Sequence, residues 1–436
     1  MKNRRLRREK LSAKMEALPR FTVVSGVKYF IVNNTAETAF SPLTKTSQPR
    51  SQRPILALIL TLFVAGAAGL SAYGWRQSVL FVIGGLLGAS LYHASFGFAS
   101  AYRKLFADRD ITGVLAHLLM LAIATLLFAP VLASGSAFGH KMAGAVAPVG
   151  WQNAIGAFLF GIGMQLGSGC ACGTLWTIGA GSTSMLLTLL TFCIGSFAGS
   201  LTRHLWNLPS LPPISLGKTL GWTPAVILQL SVFLLIAIAL WQWNRANGKQ
   251  PVTADSLLKN PQTHIKNRWL YGPWPLAAGA FALAFLNWVK LLIDGRPWGV
   301  TWGFTLWAAE LATAFGWNPA TNPFWNNPDK LESLQKGIFA DVTSVMNFGI
   351  VLGAVLAAAL AGKFAVKTNL SLPKIAAVLS GGFMMGYGAL LAFGCNVGAF
   401  FSGIASTSLH GWLWIAAALL GSFAGIKLRS LLRLDI

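Results

Sequence analysis

Apolar residues in this chain gather in continuous runs rather than alternating with polar ones. Runs of about 18 or more recur from residue 55 to residue 430. Each is long enough, as a helix, to cross the roughly 30 Å hydrocarbon layer of a bilayer. Eleven apolar segments are predicted, near 55–73, 78–96, 112–133, 151–168, 183–203, 222–243, 270–293, 299–316, 338–362, 374–393 and 409–430. Continuous runs argue against a transmembrane β-barrel, whose strands alternate apolar and polar positions. The pattern predicts an all-α polytopic membrane protein with the lipid bilayer as its surroundings.

Two polar stretches divide the chain. Residues 1–54 open MKNRRLRREK and lack the apolar core of a signal peptide. They read as a basic, disordered cytoplasmic tail or an over-extended gene start. Residues 244–268, NRANGKQPVTADSLLKNPQTHIKNR, are the longest polar interior segment and read as a linker. It separates a first membrane half, 55–243, from a second, 269–432.

The apolar pattern repeats. Residues 156–199 lie over residues 381–425, so that GAFLFGIGMQLGSGCACGTLWTIGAGS meets GGFMMGYGALLAFGCNVGAFFSGIAST. Gly156, Gly161, Gly163, Gly169, Cys170 and Gly173 fall on Gly381, Gly386, Gly388, Gly394, Cys395 and Gly398. After a one-residue shift, GSFAG at 195–199 matches GSFAG at 421–425 letter for letter. These strong copies occupy 151–203 and 374–430. A weaker third copy within 84–107 is GASLYHASFGFAS at 88–100, with Gly97 where the others have cysteine.

Loop charge orients the copies. Residues 134–150 hold one Lys and no Arg, whereas residues 244–268 hold five Lys or Arg. The positive-inside rule puts the first loop outside and the second inside. Lys363, Lys367 and Lys374 precede the second strong copy, and Lys427, Arg429 and Arg433 follow it. That copy is expected to begin and end inside and the first to begin and end outside, which makes an inverted repeat. Inverted repeats with interrupted helices place a substrate site near the bilayer midplane.

Charge narrows the substrate. The net charge is +22, from 34 Lys+Arg against 12 Asp+Glu. Carriers of cations or protons usually keep carboxylates within the membrane. Here Glu310 and Asp341 are the main exceptions, so the balance leans to an anionic or neutral substrate. The four cysteines make no disulfide framework, no His/Cys cluster has structural-zinc spacing, and no cofactor motif or nucleic-acid signature stands out.

In each strong copy an apolar helix runs into Gly-Cys, followed by a segment of about eight to ten residues. Eight helical residues rise only about 12 Å, so this piece is expected to be a short broken or re-entrant helix carrying a Gly-Cys loop. Gly169 and Gly394 permit the turn, and Gly173 and Gly398 allow close packing. The cysteine would stand at a helix N-terminus, where unpaired backbone N–H groups suit an anion. Its thiol adds a weak donor and a polarisable sulfur, suited to a small anion that itself carries soft sulfur. The expected substrate-binding set is Cys170, Cys395, Gly169, Gly394, Gly173, Gly398, Asn396 and Gly97. Thr174, Ser95 and Ser402 are further candidate donors. Packing explains Cys193, which has no repeat partner, and Cys172, which faces Val397, reads as structural. His93 and His410 read as polar interface residues.

GIGMQLGSGCACGTLW at 161–176 and GYGALLAFGCNVGAFFSGIASTSLHGW at 386–412 resemble the YeeE/YedE family of sulfur-transport membrane proteins. HASFGFASAYRKLF at 93–106 and GRPWGVTWGFTLWAAEL at 295–311 are similar to it as well. The resemblance covers roughly residues 55–432. It implies thiosulfate uptake by an hourglass-shaped bundle of inverted repeats with a basic entrance. It also implies that Cys170 and Cys395 relay the anion as neutral thiols, in a bacterial inner membrane, beside a cytoplasmic sulfurtransferase-like partner. Family members commonly carry a cysteine where this chain has Gly97, so a two-cysteine relay or another sulfur or selenium species is implied. The expected function is a permease for thiosulfate or a related small sulfur-containing anion, and not an enzyme. The rivals are a membrane sulfurtransferase or thiol-disulfide relay, for which Cys170 and Cys172 could form the working pair, and a water-filled channel for small neutral solutes.

Overall fold

A computed structural model describes residues 23–24, 27–28, 51–247, 254–258, 267–368 and 370–434. Most of the expected N-terminal tail and much of the 244–268 linker lie outside the described residues. Within residues 1–47 a two-residue antiparallel pair, Val23–Val24 with Val27–Lys28, is described. The rest forms one helical unit.

Fourteen helices of that unit carry the architecture. They are α1 (Arg53–Leu70), α2 (Trp75–Ala94), α3 (Phe98–Asp108), α4 (Thr112–Ser134), α5 (Trp151–Leu166), α6 (Ala171–Gly179) and α7 (Thr183–Leu201). Then come α8 (Trp222–Ala246), α9 (Leu276–Asp294), α10 (Thr301–Ala314), α11 (Val342–Leu360) and α12 (Leu372–Leu391). A wide π-helical turn, Asn396–Phe401, leads into α13 (Ser402–Ala405), and α14 (Leu409–Leu431) ends the bundle. By length and composition ten stretches can cross a membrane, and the protein is a multi-pass membrane protein. The expected segment 299–316 is not among them. Its helix α10 spans 14 residues, or about 21 Å. Hydropathy sees its apolar residues but not the break that Arg296-Pro297-Trp298-Gly299 makes ahead of it.

That short helix exposes a regularity. Apart from α1 and α8, the helices fall into four units, each long, short, long. They are α2-α3-α4, α5-α6-α7, α9-α10-α11 and α12-α13-α14. Besides α5 with α12 and α2 with α9, which the exchange below leaves as they are, packed pairs include α2 with α11 and α9 with α4, α7 with α12 and α14 with α5, α6 with α11 and α13 with α4, and α10 with α7 and α3 with α14. Exchanging the first unit with the third and the second with the fourth turns each of these pairs into its partner pair.

Single glycines obey the same exchange. A methyl on Gly386 would fall 2.6 Å from Ser196 N, and one on Gly161 would fall 2.8 Å from Ser422 N. Gly195 lies on the Phe383 backbone and Gly421 on the Phe158 backbone. Helices α5 and α12 meet directly. Gly156 sits on Gly388 and Ala392, and Gly163 sits on Gly381 and Met385, so the two run antiparallel. Without a hydrophobic drive between helices in lipid, such small-residue seams supply the attraction through close van der Waals contact. The outer faces of α1 and α8 leave Leu58, Leu60, Val64, Ile227, Leu234 and Leu235 exposed, as lipid-facing side chains are.

The chain turns between long and short helices by one device in three of the units. Ser95, Ser168 and Phe393 are left-handed, with φ of 48°, 63° and 58°. Each stands two residues before Gly97, Cys170 or Cys395. The left-handed step therefore falls on Ser168 rather than Gly169, while Gly394 has a φ of 144°. Non-glycine residues enter this region at a cost of about 1–2 kcal/mol.

The seams yield a test. Gly386→Ala forces a methyl onto the backbone of α7 and is expected to cost about 1–3 kcal/mol, read as a lower thermal midpoint in detergent. Gly69→Ala, whose methyl meets nothing within 4 Å, leaves the midpoint unchanged. Equal midpoints would contradict the seam.

Candidate functional site

Cys170 and Cys395 are N-caps. Each has an extended backbone, with φ −91° and ψ −177° at Cys170 and φ −105° and ψ −168° at Cys395. Gly97 caps α3 in the same way, with φ −119° and ψ 124°. Three short helices therefore begin at the three aligned positions.

The first backbone N–H groups of a helix have no partner within it. At α6 the Cys170 thiol takes one of them, because Gly173 N donates to its sulfur at 3.4 Å. Gly173 faces no neighbouring helix. A methyl there would meet Cys170 Sγ at 3.2 Å, so the glycine makes room for the sulfur. Thr174 Oγ1 donates to Cys170 O at 2.9 Å. The Phe98 N–H, at the start of α3, also reaches toward the Cys170 sulfur. Around Cys395 the N–H groups of Val397 and Gly398 face the thiol. Trp414 Nε1 donates to Gly394 O at 3.1 Å and fixes that turn. Gly398 faces Gly299 of the fourth break, 3.9 Å from where its own Cβ would be.

The thiols share one buried region. Cys170 Sγ and Cys172 Sγ are 3.5 Å apart, and both lie within electrostatic reach of Cys395. Tyr102, on α3, couples to Cys170 and to the Asn396 amide. Asn396 is 0% exposed, and although its amide lies beside the Tyr102 hydroxyl, neither amide atom nor that hydroxyl makes a well-formed hydrogen bond among the described residues. Burying an amide unpartnered costs about 1–3 kcal/mol. The amide and the phenol stand together beside two helix starts.

The other candidates are committed elsewhere. Ser402 Oγ donates to Trp298 O at 2.7 Å and accepts from Asn287 Nδ2 at 3.1 Å. Ser408 Oγ and His410 Nδ1 are 2.7 Å apart, His93 packs against Trp274, and Cys193 lies half-buried on α7. Ser95 is the turn residue described above. Sequence reasoning missed Tyr102, which lies beyond the aligned residues of the third copy, on the face of α3 one turn past Gly97. Among the described residues no group of three His, Cys, Asp or Glu is placed to hold a metal ion.

A cavity of about 440 Å³ opens beside the fourth break. Lys290, Arg296, Lys336, Asp294 and Asp341 line it, together with Gly299, which touches the Cys395 turn through Gly398. Lys290 Nζ donates to Asp294 Oδ2 at 2.6 Å. Burial holds the Asp341 carboxyl above the usual carboxylate range.

Asn396→Leu tests the orphaned amide. The substitution removes two uncompensated polar atoms, so the ligand-free protein is expected to keep or gain thermal stability while losing most of its substrate uptake. A marked loss of stability would mean that the amide serves the fold instead.

The sulphur transport family matches residues 93–424 of this chain. The thiosulfate transporter TsuA of Spirochaeta thermophila is 28% identical over 78% of this chain and 96% of its own length. TsuA of Escherichia coli is 24% identical over 78% of this chain and 91% of its own length. The probable transporter YedE of Salmonella typhimurium is 32% identical over 38% of this chain, which spans 40% of that protein's length. With three quarters of its length matched and the Gly-Cys turns inside the match, the chain belongs to the sulphur transport family, a family of transporters rather than enzymes.

Proposed function

We propose that this protein is a permease of the bacterial inner membrane for thiosulfate or a related small sulfur-containing anion, handed between Cys170 and Cys395. The observation that carries the reading is the Asn396 amide and Tyr102 hydroxyl, neither with a well-formed hydrogen bond, beside the two helix starts that have cysteine at the N-cap. The relatives named as thiosulfate transporters along most of their length supply the substrate class.

A desolvated small anion loses several kcal/mol even after the protein relaxes around it. A hydrogen bond to a charged group returns about 1.5–3 kcal/mol, so three or four donors are needed at each stop. The Cys170 thiol, Phe98 N–H and Tyr102 hydroxyl supply such a set on one side of the region. The Cys395 thiol, the Val397 and Gly398 N–H groups and the Asn396 amide supply it on the other. Neutral thiols suit the task because they donate weakly and let the anion leave, and their polarisable sulfur matches a terminal sulfur on the guest. The Lys290, Arg296 and Lys336 cavity would gather anions at the entrance by raising their local concentration. Cys172, 3.5 Å from Cys170, would adjust the direction in which that thiol points. A cytoplasmic sulfurtransferase-like protein would consume what is released.

Proteoliposomes holding the full chain test the reading. Labelled thiosulfate uptake is expected to saturate with concentration. It should fall at least about tenfold in Cys170→Ala and in Cys395→Ala, which corresponds to roughly one lost charge-assisted hydrogen bond. Uptake at the wild-type rate in both variants would overturn the thiol relay.

A further inference from the structure

A glycine in an ordinary backbone conformation lowers stability, because its unfolded chain has more freedom to lose than alanine's. Most glycines of this bundle have a compensating reason, a close approach to a neighbour. Among the described residues, a methyl added to a glycine outside the left-handed region would meet some atom within 3.4 Å at all but four positions. The four are Gly69, Gly169, Gly299 and Gly398. Gly69 lies on the exposed face of α1. The other three stand at the turns that lead into short helices.

Gly299 and Gly398 share one gap. A methyl on Gly299 would meet nothing within 4 Å, and one on Gly398 would meet only Gly299 Cα, at 3.9 Å. Gly398 lies three residues after Cys395, and Gly299 lines the 440 Å³ cavity with Lys290, Arg296 and Lys336. Both glycines are half-buried, although their chain neighbours Trp298, Val300, Val397 and Ala399 are buried. The gap does not close by collapse, because the break is tied on both sides of Gly299. Lys290 Nζ donates to Pro297 O at 3.2 Å, Trp298 N donates to Asn287 Oδ1 at 2.7 Å, and Ser402 Oγ donates to Trp298 O at 2.7 Å. Beyond it, Asn347 Nδ2 donates to Val300 O at 2.9 Å. Trp298 is 1% exposed, and its indole N–H has no hydrogen-bond partner among the described residues. An unpaired buried donor is costly and suits a passing acceptor. The opening is not repeated across the exchange of units. Gly97 follows Phe96 as Gly299 follows Trp298, but Ser100 Oγ lies 2.6 Å from where a Cβ of Gly97 would be.

We propose that Gly299 and Gly398 form the doorway through which a small anion passes between the Lys290, Arg296 and Lys336 cavity and the Cys395 thiol, the two missing side chains setting the width of the ion admitted. The inference rests on the permease reading and adds to it the point of passage and the residues that set it. The cavity gathers the anion by charge, and the doorway selects it by size.

The test compares Gly299→Ala, Gly398→Ala and Gly299→Val with the wild-type full chain, by initial rates of labelled thiosulfate uptake in proteoliposomes and by thermal midpoint in detergent. A methyl fits at both positions without a clash, and alanine restricts the unfolded chain more than glycine does. The alanine variants are therefore expected to keep or raise the midpoint. The maximal rate is expected to fall about threefold or more in each alanine variant and at least about tenfold in Gly299→Val, the range into which steric crowding converts. KM, set by the unaltered cavity charges, stays within about twofold of wild type. A packing role predicts instead that rate and midpoint fall together. Wild-type maximal rates in all three variants, or rates that fall only in step with a lower midpoint, overturn the doorway and leave the permease standing. No thiosulfate transport by the inserted wild-type chain overturns the permease reading and this inference with it.

Discussion

A helix that begins inside a membrane leaves its first backbone N–H groups facing a medium with no water to satisfy them. This protein has short helices whose starts are buried, and the rest of the structure follows from sheltering them. The Cys170 sulfur takes the Gly173 N–H, the Cys395 sulfur faces two more, and Asn287 takes the Trp298 N–H at the fourth break. Irregular backbone is tolerated at depth only against protein or a polar path. The long helices supply the protein wall, and Asn396 and Tyr102 place polar groups beside the turns.

Bringing the starts together requires the long helices to approach closely, and the glycine seams permit it. Gly161, Gly195, Gly386 and Gly421 each lie on a neighbouring backbone that leaves no room for a Cβ. Because the seams obey the exchange of units, one packing solution serves two turns. The same exchange puts Arg203 just past the end of α7 and Arg429 near the end of α14, each donating to a backbone carbonyl ahead of the other copy's turn. Shape, clamp and thiol therefore form one repeated device, used in two antiparallel settings.

Much of this was legible in the chain. The apolar runs mark the membrane-spanning helices, and the repeat aligns Gly169-Cys170 with Gly394-Cys395, where the short segments begin. Helix α6, and the π-helical turn together with α13, stand where the eight-to-ten-residue segments are expected. What stayed hidden had local causes. Helix α10 reads as an ordinary apolar segment because hydropathy averages over the Gly295–Gly299 break, and that unit carries no cysteine to flag its kinship with the others. Tyr102 reaches Asn396 only through folding, since nothing in their spacing ties the two. The arginine pair was readable in principle, four residues beyond G-S-F-A-G in both copies, but the letters between differ. Ser168 carries the left-handed step beside a glycine that could have taken it, and only the backbone reveals which residue turns.

The central claim is that a sulfur-bearing anion rests between the thiols of Cys170 and Cys395. Crystals of the full chain soaked in selenosulfate, whose selenium replaces the terminal sulfur, would test it most directly by anomalous scattering. The account predicts a selenium peak within about 4 Å of a cysteine sulfur, the reach of a sulfur hydrogen bond lengthened by selenium, and beside the Asn396 amide. Peaks confined to the outer cavity or the protein surface, with the buried thiols and amide unoccupied at saturating soak, would contradict it.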